Sequence, residues 1–217
     1  MKKIYLLLSV IGLSFAASAQ SKGNIEFGFT VGYNSSTVST SNSYYGNEPD
    51  TYSGFNAGAS ADFYFSDRWS IKVKALYDGK GFSRALVALP DGNNFVTDVK
   101  LNYITVPVMA NWHFGSKRNW YLNFGPYIGF LTTAKETRFD MDLKDNFKST
   151  DAGLAFGIGV KVPLNDKIKI FFEFDAQGGF SNIIKDKYSD YDYNNYSDGA
   201  DVSTVRSAFN VGLNFML

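Results

Sequence analysis

Residues 168–180 read IKIFFEFDAQGGF, and the character of the side chain changes at almost every step. Ile168, Ile170, Phe172, Phe174 and Ala176 share one parity, while Lys169, Glu173, Asp175 and Gln177 share the other. A period of two belongs to an extended strand, whose successive side chains point to opposite faces. The same alternation runs along most of the chain and predicts eight strands. They are Asn24–Tyr33, Gly54–Phe65, Trp69–Phe82, Asp98–Phe114, Trp120–Lys135, Thr150–Val162, Lys167–Phe180 and Ser203–Leu217. Most reach or pass the roughly 9–11 residues that a tilted strand needs to cross a bilayer.

The connections alternate as well. Ser66–Arg68, Gly115–Asn119 and Leu164–Asp166 are tight turns. Between them stand long polar segments, Asn34–Ser53, Ser83–Thr97, Glu136–Ser149 and Ser181–Val202. Short turns at one end and long loops at the other mark an outer-membrane barrel. The fold class expected is all-β: an eight-stranded antiparallel transmembrane up-and-down β-barrel with short periplasmic turns and long extracellular loops. An even strand number places both termini on the periplasmic side. No peptidoglycan-binding domain is expected after Leu217.

The polar parity indicates which face is enclosed. It carries Glu26, Gly28, Thr30 and Gly32, then Asn56, Gly58, Ser60 and Asp62, and later Arg206, Ala208, Asn210, Gly212 and Asn214. The opposite parity is mostly Phe, Ile, Val, Leu, Ala and Trp. In a secreted lipocalin-like barrel the polar row would meet water, and such rows are usually rich in Lys, Glu and Thr. Here the row is rich in glycine, which weakens a strand but suits a cramped interior. Eight strands leave a lumen just wide enough for side chains to fill. The charged residues expected to look inward are Glu26, Asp62, Lys72, Lys74, Lys161, Lys169, Glu173, Asp175 and Arg206. An enclosed lone charge costs several kcal/mol, so these should pair across the barrel and leave no wide channel. Trp69, Trp112, Phe114, Trp120 and Phe65 sit beside the short turns and suit a periplasmic aromatic girdle. Tyr33, Tyr77, Tyr103 and Phe130 suit the outer one.

Composition narrows the class further. The 217 residues carry a formal net charge of zero, so nothing points to nucleic acid. Aromatic residues make up 17% of the chain, and cysteine is absent. Disulfides, thiolate nucleophiles, Cys-ligated zinc and a lipidated cysteine are thereby excluded. Lys2 and Lys3, the apolar run Ile4–Phe15 and the small residues Ala17-Ser18-Ala19 read as a secretory signal peptide, residues 1–19. The apolar run is too short to span a membrane as a helix. The barrel domain is then 20–217.

Candidate chemistry is sparse. His113 is the only histidine, at inward parity beside Trp112 and near a short turn. It lacks His or Cys companions for a metal, and it lies at the turn end, whereas catalytic groups of barrel enzymes usually stand at the outer end. Neither "GNN" at Gly92–Asn94 nor "GIG" at Gly157–Gly159 has the strand-to-helix setting of a phosphate loop. No catalytic, metal or cofactor-binding residue is assigned, and no cofactor is expected. The segment KDKYSDYDYNNYSDGAD, Lys185–Asp201, interleaves Asp190 and Asp192 with Tyr188, Tyr191, Tyr193 and Tyr196. Tyrosine gives large contact area at small entropy cost. Three readings stay open: a solvated surface loop, a contact for a protein or glycan, and a calcium site. The calcium reading lacks the closing Glu of a calcium loop. Asn34–Thr51, rich in Ser, Thr, Asn and Tyr, has a similar balance.

Three stretches carry a resemblance. They are GFNAGASADFYFSDRWSIKVKALYDGKGFSR (Gly54–Arg84), LNYITVPVMANWHF (Leu101–Phe114) and WYLNFGPYIGFLTTAK (Trp120–Lys135). Together they resemble the second-to-third-strand hairpin, the fourth strand and the fifth strand of the PorT-like outer-membrane β-barrel family of Bacteroidota. The resemblance implies export, an eight-stranded barrel and residence in the outer membrane. It implies little about activity, since most members have no assigned role, although PorT itself is linked to a secretion system. The chain departs from the usual aromatic ending with Phe215-Met216-Leu217, yet Phe215 keeps outward parity for recognition by the assembly machinery. The function expected is a non-enzymatic barrel whose loops contact an envelope or extracellular protein or glycan, with outer-membrane lipid around it. A narrow porin-like channel and an accessory part of a secretion system are the alternatives.

Overall fold

The computed structural model describes residues 23–40, 49–88, 94–185 and 201–217. The leader read at residues 1–19 lies outside the described residues. Eight strands follow one another: β1 (Ile25–Thr40), β2 (Asp50–Tyr64), β3 (Trp69–Ala88), β4 (Asn94–Phe114), β5 (Trp120–Glu136), β6 (Thr150–Pro163), β7 (Ile168–Gly179) and β8 (Val202–Met216). Each pairs antiparallel with the next, and β1 pairs with β8, so the sheet closes into a barrel. Closure removes every free edge, which is what lets a sheet sit in hydrocarbon. The strands run from 12 residues in β7 to 21 in β4, enough to cross a bilayer.

Local chemistry sets the tight turns. Ser66 Oγ accepts the Trp69 N–H at 2.9 Å, and Asn165 Oδ1 accepts the N–H groups of Lys167 and Ile168 at 2.9 and 2.8 Å. These are side-chain-to-backbone turns of the kind Ser and Asn favour. Gly115 takes a φ of 85°, left-handed backbone that glycine adopts without strain, where β4 turns into β5.

The alternation does what the sequence pattern predicts. Phe27, Phe29, Phe55, Phe124, Leu154, Phe156, Phe174 and Phe209 stand on the outside and are exposed, Phe55 at 73%. The opposite rows are enclosed. An exterior this apolar has no stable arrangement in water and suits acyl chains. At the turn end, Trp69–Trp112, Trp112–Phe114 and Phe114–Trp120 form a ladder of rings with centroids 6.3, 5.1 and 6.4 Å apart. Tyr33, Tyr77 and Phe130 are exposed near the other end.

Three expectations need correcting. The strands on the loop side are longer than the pattern suggested. β1 runs to Thr40 and β2 starts at Asp50, so much of the supposed loop Asn34–Thr51 is paired ribbon. β3 and β4 extend to Ala88 and from Asn94, consuming most of Ser83–Thr97. Beyond the bilayer neither face needs to be apolar, and the polarity signal fades while pairing continues. Tyr103 is no girdle residue: it is 0% exposed and points inward. Phe171, to which the sequence pattern assigns no face, shares a row of β7 with Lys169 and Glu173 and likewise points inward, buried opposite Gly212. Finally, Glu136–Ser149 is not simply a surface loop, since Leu143 and Phe147 fold down onto the barrel mouth.

Candidate functional site

The candidate site is the lumen, which has two storeys. In the turn-side storey, Lys161 Nζ donates to Glu26 Oε2 at 2.7 Å, to Asp62 Oδ2 at 3.1 Å and to Tyr64 OH at 2.9 Å. Tyr64 OH in turn donates to Glu26 Oε2 at 2.6 Å. Lys169, a quarter exposed at the mouth, reaches Glu26 Oε1 at 3.4 Å. Lys72 lies 4.0 Å from Asp62 and 3.7 Å from Glu173, linking this cluster to the middle of the barrel. There Lys74 pairs with Glu173 and lies 3.7 Å from Asp175. Arg206 bridges β8 to two further strands, with Nη1 2.5 Å from Asp175 and Nε 2.9 Å from Asp78.

All nine charges assigned to the lumen from sequence are thus brought together in one chain of contacts. Three more charges look into the lumen. Asp78 pairs with Arg206, and Lys80 Nζ donates to Asp151 at 3.0 Å, with Thr204 Oγ1 and Tyr127 OH also donating to Asp151 at 2.7 and 3.2 Å. Lys80 shares the inward parity of Lys72, Lys74 and Asp78, and Asp151 that of Gly157, Gly159 and Lys161, so the signal was there to be read. Below the rim the described wall rows then hold six cations (Lys72, Lys74, Lys80, Lys161, Lys169, Arg206) and six anions (Glu26, Asp62, Asp78, Asp151, Glu173, Asp175), while Glu136 at the rim is a seventh buried carboxylate, held by the Thr97 hydroxyl and two backbone N–H groups. Equal numbers matter, because an unmatched buried ion would cost several kcal/mol.

Asparagines and aromatic rings occupy the rest. Asn34 donates to Asp78 at 3.1 Å, Asn111 to Asp62 at 2.9 Å, Asn123 to Glu173 at 2.9 Å and Asn210 to Asp175 at 2.7 Å. At Glu173 and Asp175 the amide takes the oxygen that the nearest cation leaves over, whereas at Asp62 and Asp78 it shares the ion-paired oxygen. Glycines make room for the rings. Tyr121 lies against Gly159 on β6, where a Cβ would overlap the phenol. At Gly212 a Cβ would stand 2.6 Å from two ring carbons of Phe171. Lys72 Nζ sits 4.3 Å from the Tyr121 ring centre, which offers it the negative face of the ring.

The outer storey is mainly apolar, with Lys80 in register with Leu101 at its base. Val38, Val99, Leu101, Tyr103, Leu131 and Ala134 of the walls meet Phe147 and Ile183 from the loops, with Leu143, Ile184 and Val202 packed around them. Backbone bonds clamp the lid: Lys148 N–H to Ile183 O at 2.7 Å, Ile183 N–H to Val202 O at 2.8 Å and Lys185 N–H to Asn146 O at 3.0 Å. Glu136, buried at the rim, accepts the Thr97 hydroxyl and the N–H groups of Arg138 and, at 2.7 Å, Phe139. A carboxylate held by two backbone N–H groups locks the turn that starts the lid.

His113 is 2% exposed, with Nε2 3.0 Å from Ser70 Oγ and 3.2 Å from Asn111 Nδ2. The spacing is that of a hydroxyl and a base, but Ser70 is itself fully buried, so no substrate carbonyl reaches it in this conformation. The loop residues Tyr188, Asp190, Tyr191, Asp192, Tyr193 and Tyr196 lie outside the described residues.

A closed barrel of eight long antiparallel strands, apolar outside and charge-paired inside, defines a bacterial outer-membrane β-barrel. Residues 17–185 match the family described as outer membrane protein beta-barrel domain, and the chain belongs to that family. It is a protein of the bacterial outer membrane. Among solved structures it is similar to Neisserial surface protein A, at 13% identity over 87% of this chain and 96% of that one, with a TM-score of 0.49. It is likewise similar to OprG from Pseudomonas aeruginosa, at 14% identity over 90% and 95%, TM-score 0.49. A third is Ail, the attachment invasion locus protein of Yersinia pestis, in complex with the heparin analogue sucrose octasulfate, at 16% identity over 88% and 99%, TM-score 0.42. No curated protein matches.

Proposed function

We propose that the chain is exported by a leader at residues 1–19 and acts as a non-enzymatic outer-membrane barrel of the PorT-like branch. Its lumen is closed, and its loops hold an envelope or extracellular protein or glycan. The observation that supports this reading is the division of the lumen: a charge-balanced network below and an apolar lid above, both built from packed side chains. A barrel filled in this way works through what it displays. The display loop between Lys185 and Asp201 springs from a fixed base, since Ile183 and Lys185 are bonded to Val202 and Asn146. A tyrosine-rich, acidic segment on a clamped base suits a binding role better than an unanchored tether does, because less entropy is lost on contact.

The test replaces residues 186–200 with a short Gly-Ser turn and captures partners from native membranes by crosslinking. The barrel should fold as before and the captured partner should vanish. Equal capture from the shortened protein would remove the support for the display reading. Capture of secretion-machine components by the full chain alone would assign the partner to that class.

A further inference from the structure

The only histidine of the chain and all three of its tryptophans stand at the turn end. Trp69, Trp112 and Trp120 belong to the outer ladder of rings there. His113 looks inward between Trp112 and Phe114, in register with Tyr121. Its backbone N–H donates to the Arg68 carbonyl at 2.7 Å, which ties it to the β2–β3 turn. The Tyr64 ring lies against the imidazole with centroids 4.9 Å apart, and Tyr121 lies at 6.1 Å.

The hydrogen bonds around the ring accept one protonation state. Asn111 Nδ2 has two hydrogens. One goes to Asp62 Oδ2 at 2.9 Å, and the other meets His113 Nε2 at 3.2 Å. Turning the amide round would set its oxygen against the Asp62 carboxylate, so the nitrogen stays where it faces both groups. Nε2 is therefore an acceptor without a proton, with Ser70 Oγ as a second neighbour at 3.0 Å. A proton added there would point at an N–H group, and Asn111 would have to withdraw. Asp62 would lose a donor in the same step.

Charge acts in the same direction. Lys161 of β6 and Lys72 of β3 face the ring, against Asp62 of β2 and Glu26 of β1. Lys169 of β7 adds another cation behind Glu26, at 3.4 Å from it. An imidazolium would be a further enclosed cation with no carboxylate to spare. Histidine is also the side chain whose ordinary pKa, about 6.5, lets mild acid charge it.

We propose that His113 is an acid-sensitive latch on the turn-side mouth: the neutral ring holds Asn111, Ser70 and the β2–β3 turn together, and the protonated ring releases Asn111 and loosens that end. Because the closed shell accepts only the neutral ring, acid favours the loosened one, and the turn end weakens as pH falls. The lid and the display loop take no part, so the latch stands whatever the loops hold.

The test uses the full barrel refolded in phospholipid vesicles. Its tryptophans report the turn end alone, and its one imidazole gives one nuclear magnetic resonance signal. From about pH 8 to about pH 4.5, either side of an ordinary imidazole, tryptophan emission should pass through one reversible transition. Acrylamide quenching should be at least twofold stronger on the acid side. His113→Gln, whose amide oxygen can accept from the same donors but takes up no proton, should show no such transition. In the wild type the imidazole Cε1–H signal should titrate with the same midpoint as the emission. A flat wild-type profile, an equal transition in His113→Gln, or midpoints about one pH unit or more apart would each overturn the latch. Should His113→Gln fail to fold, the coincidence of the two wild-type midpoints decides the matter.

Discussion

The two storeys of the lumen solve one problem by different means. The lower one fills the barrel with ions and must match each charge, so every member depends on partners from several strands. Arg206 alone connects β8 with Asp175 of β7 and Asp78 of β3. The upper one fills the barrel with Val38, Leu101, Phe147 and Ile183, which need proximity but no matched partner. Ions enclosed in pairs make removal of one member costly, whereas apolar packing fails locally and by degrees. The lower storey therefore locks the strands together. The upper one closes the mouth while leaving the loops free to vary.

The largest expected effect breaks the lower storey. Arg206→Met strands Asp78 and Asp175 without their shared cation and should cost about 3–5 kcal/mol, read from urea unfolding in lipid vesicles. Phe147→Ala in the lid should cost about 3 kcal/mol, but only locally. Protease should nick 136–149 sooner while the urea midpoint of the barrel stays unchanged, and a global shift would mean the storeys are one unit. Gly212→Val drives a side chain against the Phe29 carbonyl and the Phe171 ring and should cost about 1–3 kcal/mol, of which adding Phe171→Leu recovers only the ring's part. The smallest effect marks the contrast with the surface. Lys135 and Asp140 are about half or more exposed, and Asp140→Asn should change stability by about 0.5 kcal/mol or less.

Much of this was legible in the sequence, because period-two alternation in a barrel converts parity directly into inside and outside. Glu26, Asp62, Lys161, Glu173 and Arg206 could be placed by counting. The same count would have reached Lys80 and Asp151, whose outward neighbours Gly79, Gly81, Thr150 and Ala152 include no large apolar residue to mark the alternation. Tyr103 was misplaced because an aromatic ring near the outer end suits a girdle, yet it fills the mouth beneath Phe147. Neither Phe147 nor Ile183 shows its role locally, since each sits in a polar segment and is buried by residues far along the chain. The strand ends were obscured for a different reason: above the bilayer, Ser36, Thr37 and Thr97 pair without needing an apolar face.

The account's central claim is that paired charges and the apolar lid seal the barrel, and single-channel recording in planar bilayers tests it most directly. The refolded wild-type protein should insert and give no steady current above membrane leak, while Arg206→Met combined with Phe147→Ala should give brief openings. A stable, reproducible open level from the wild type would contradict the claim.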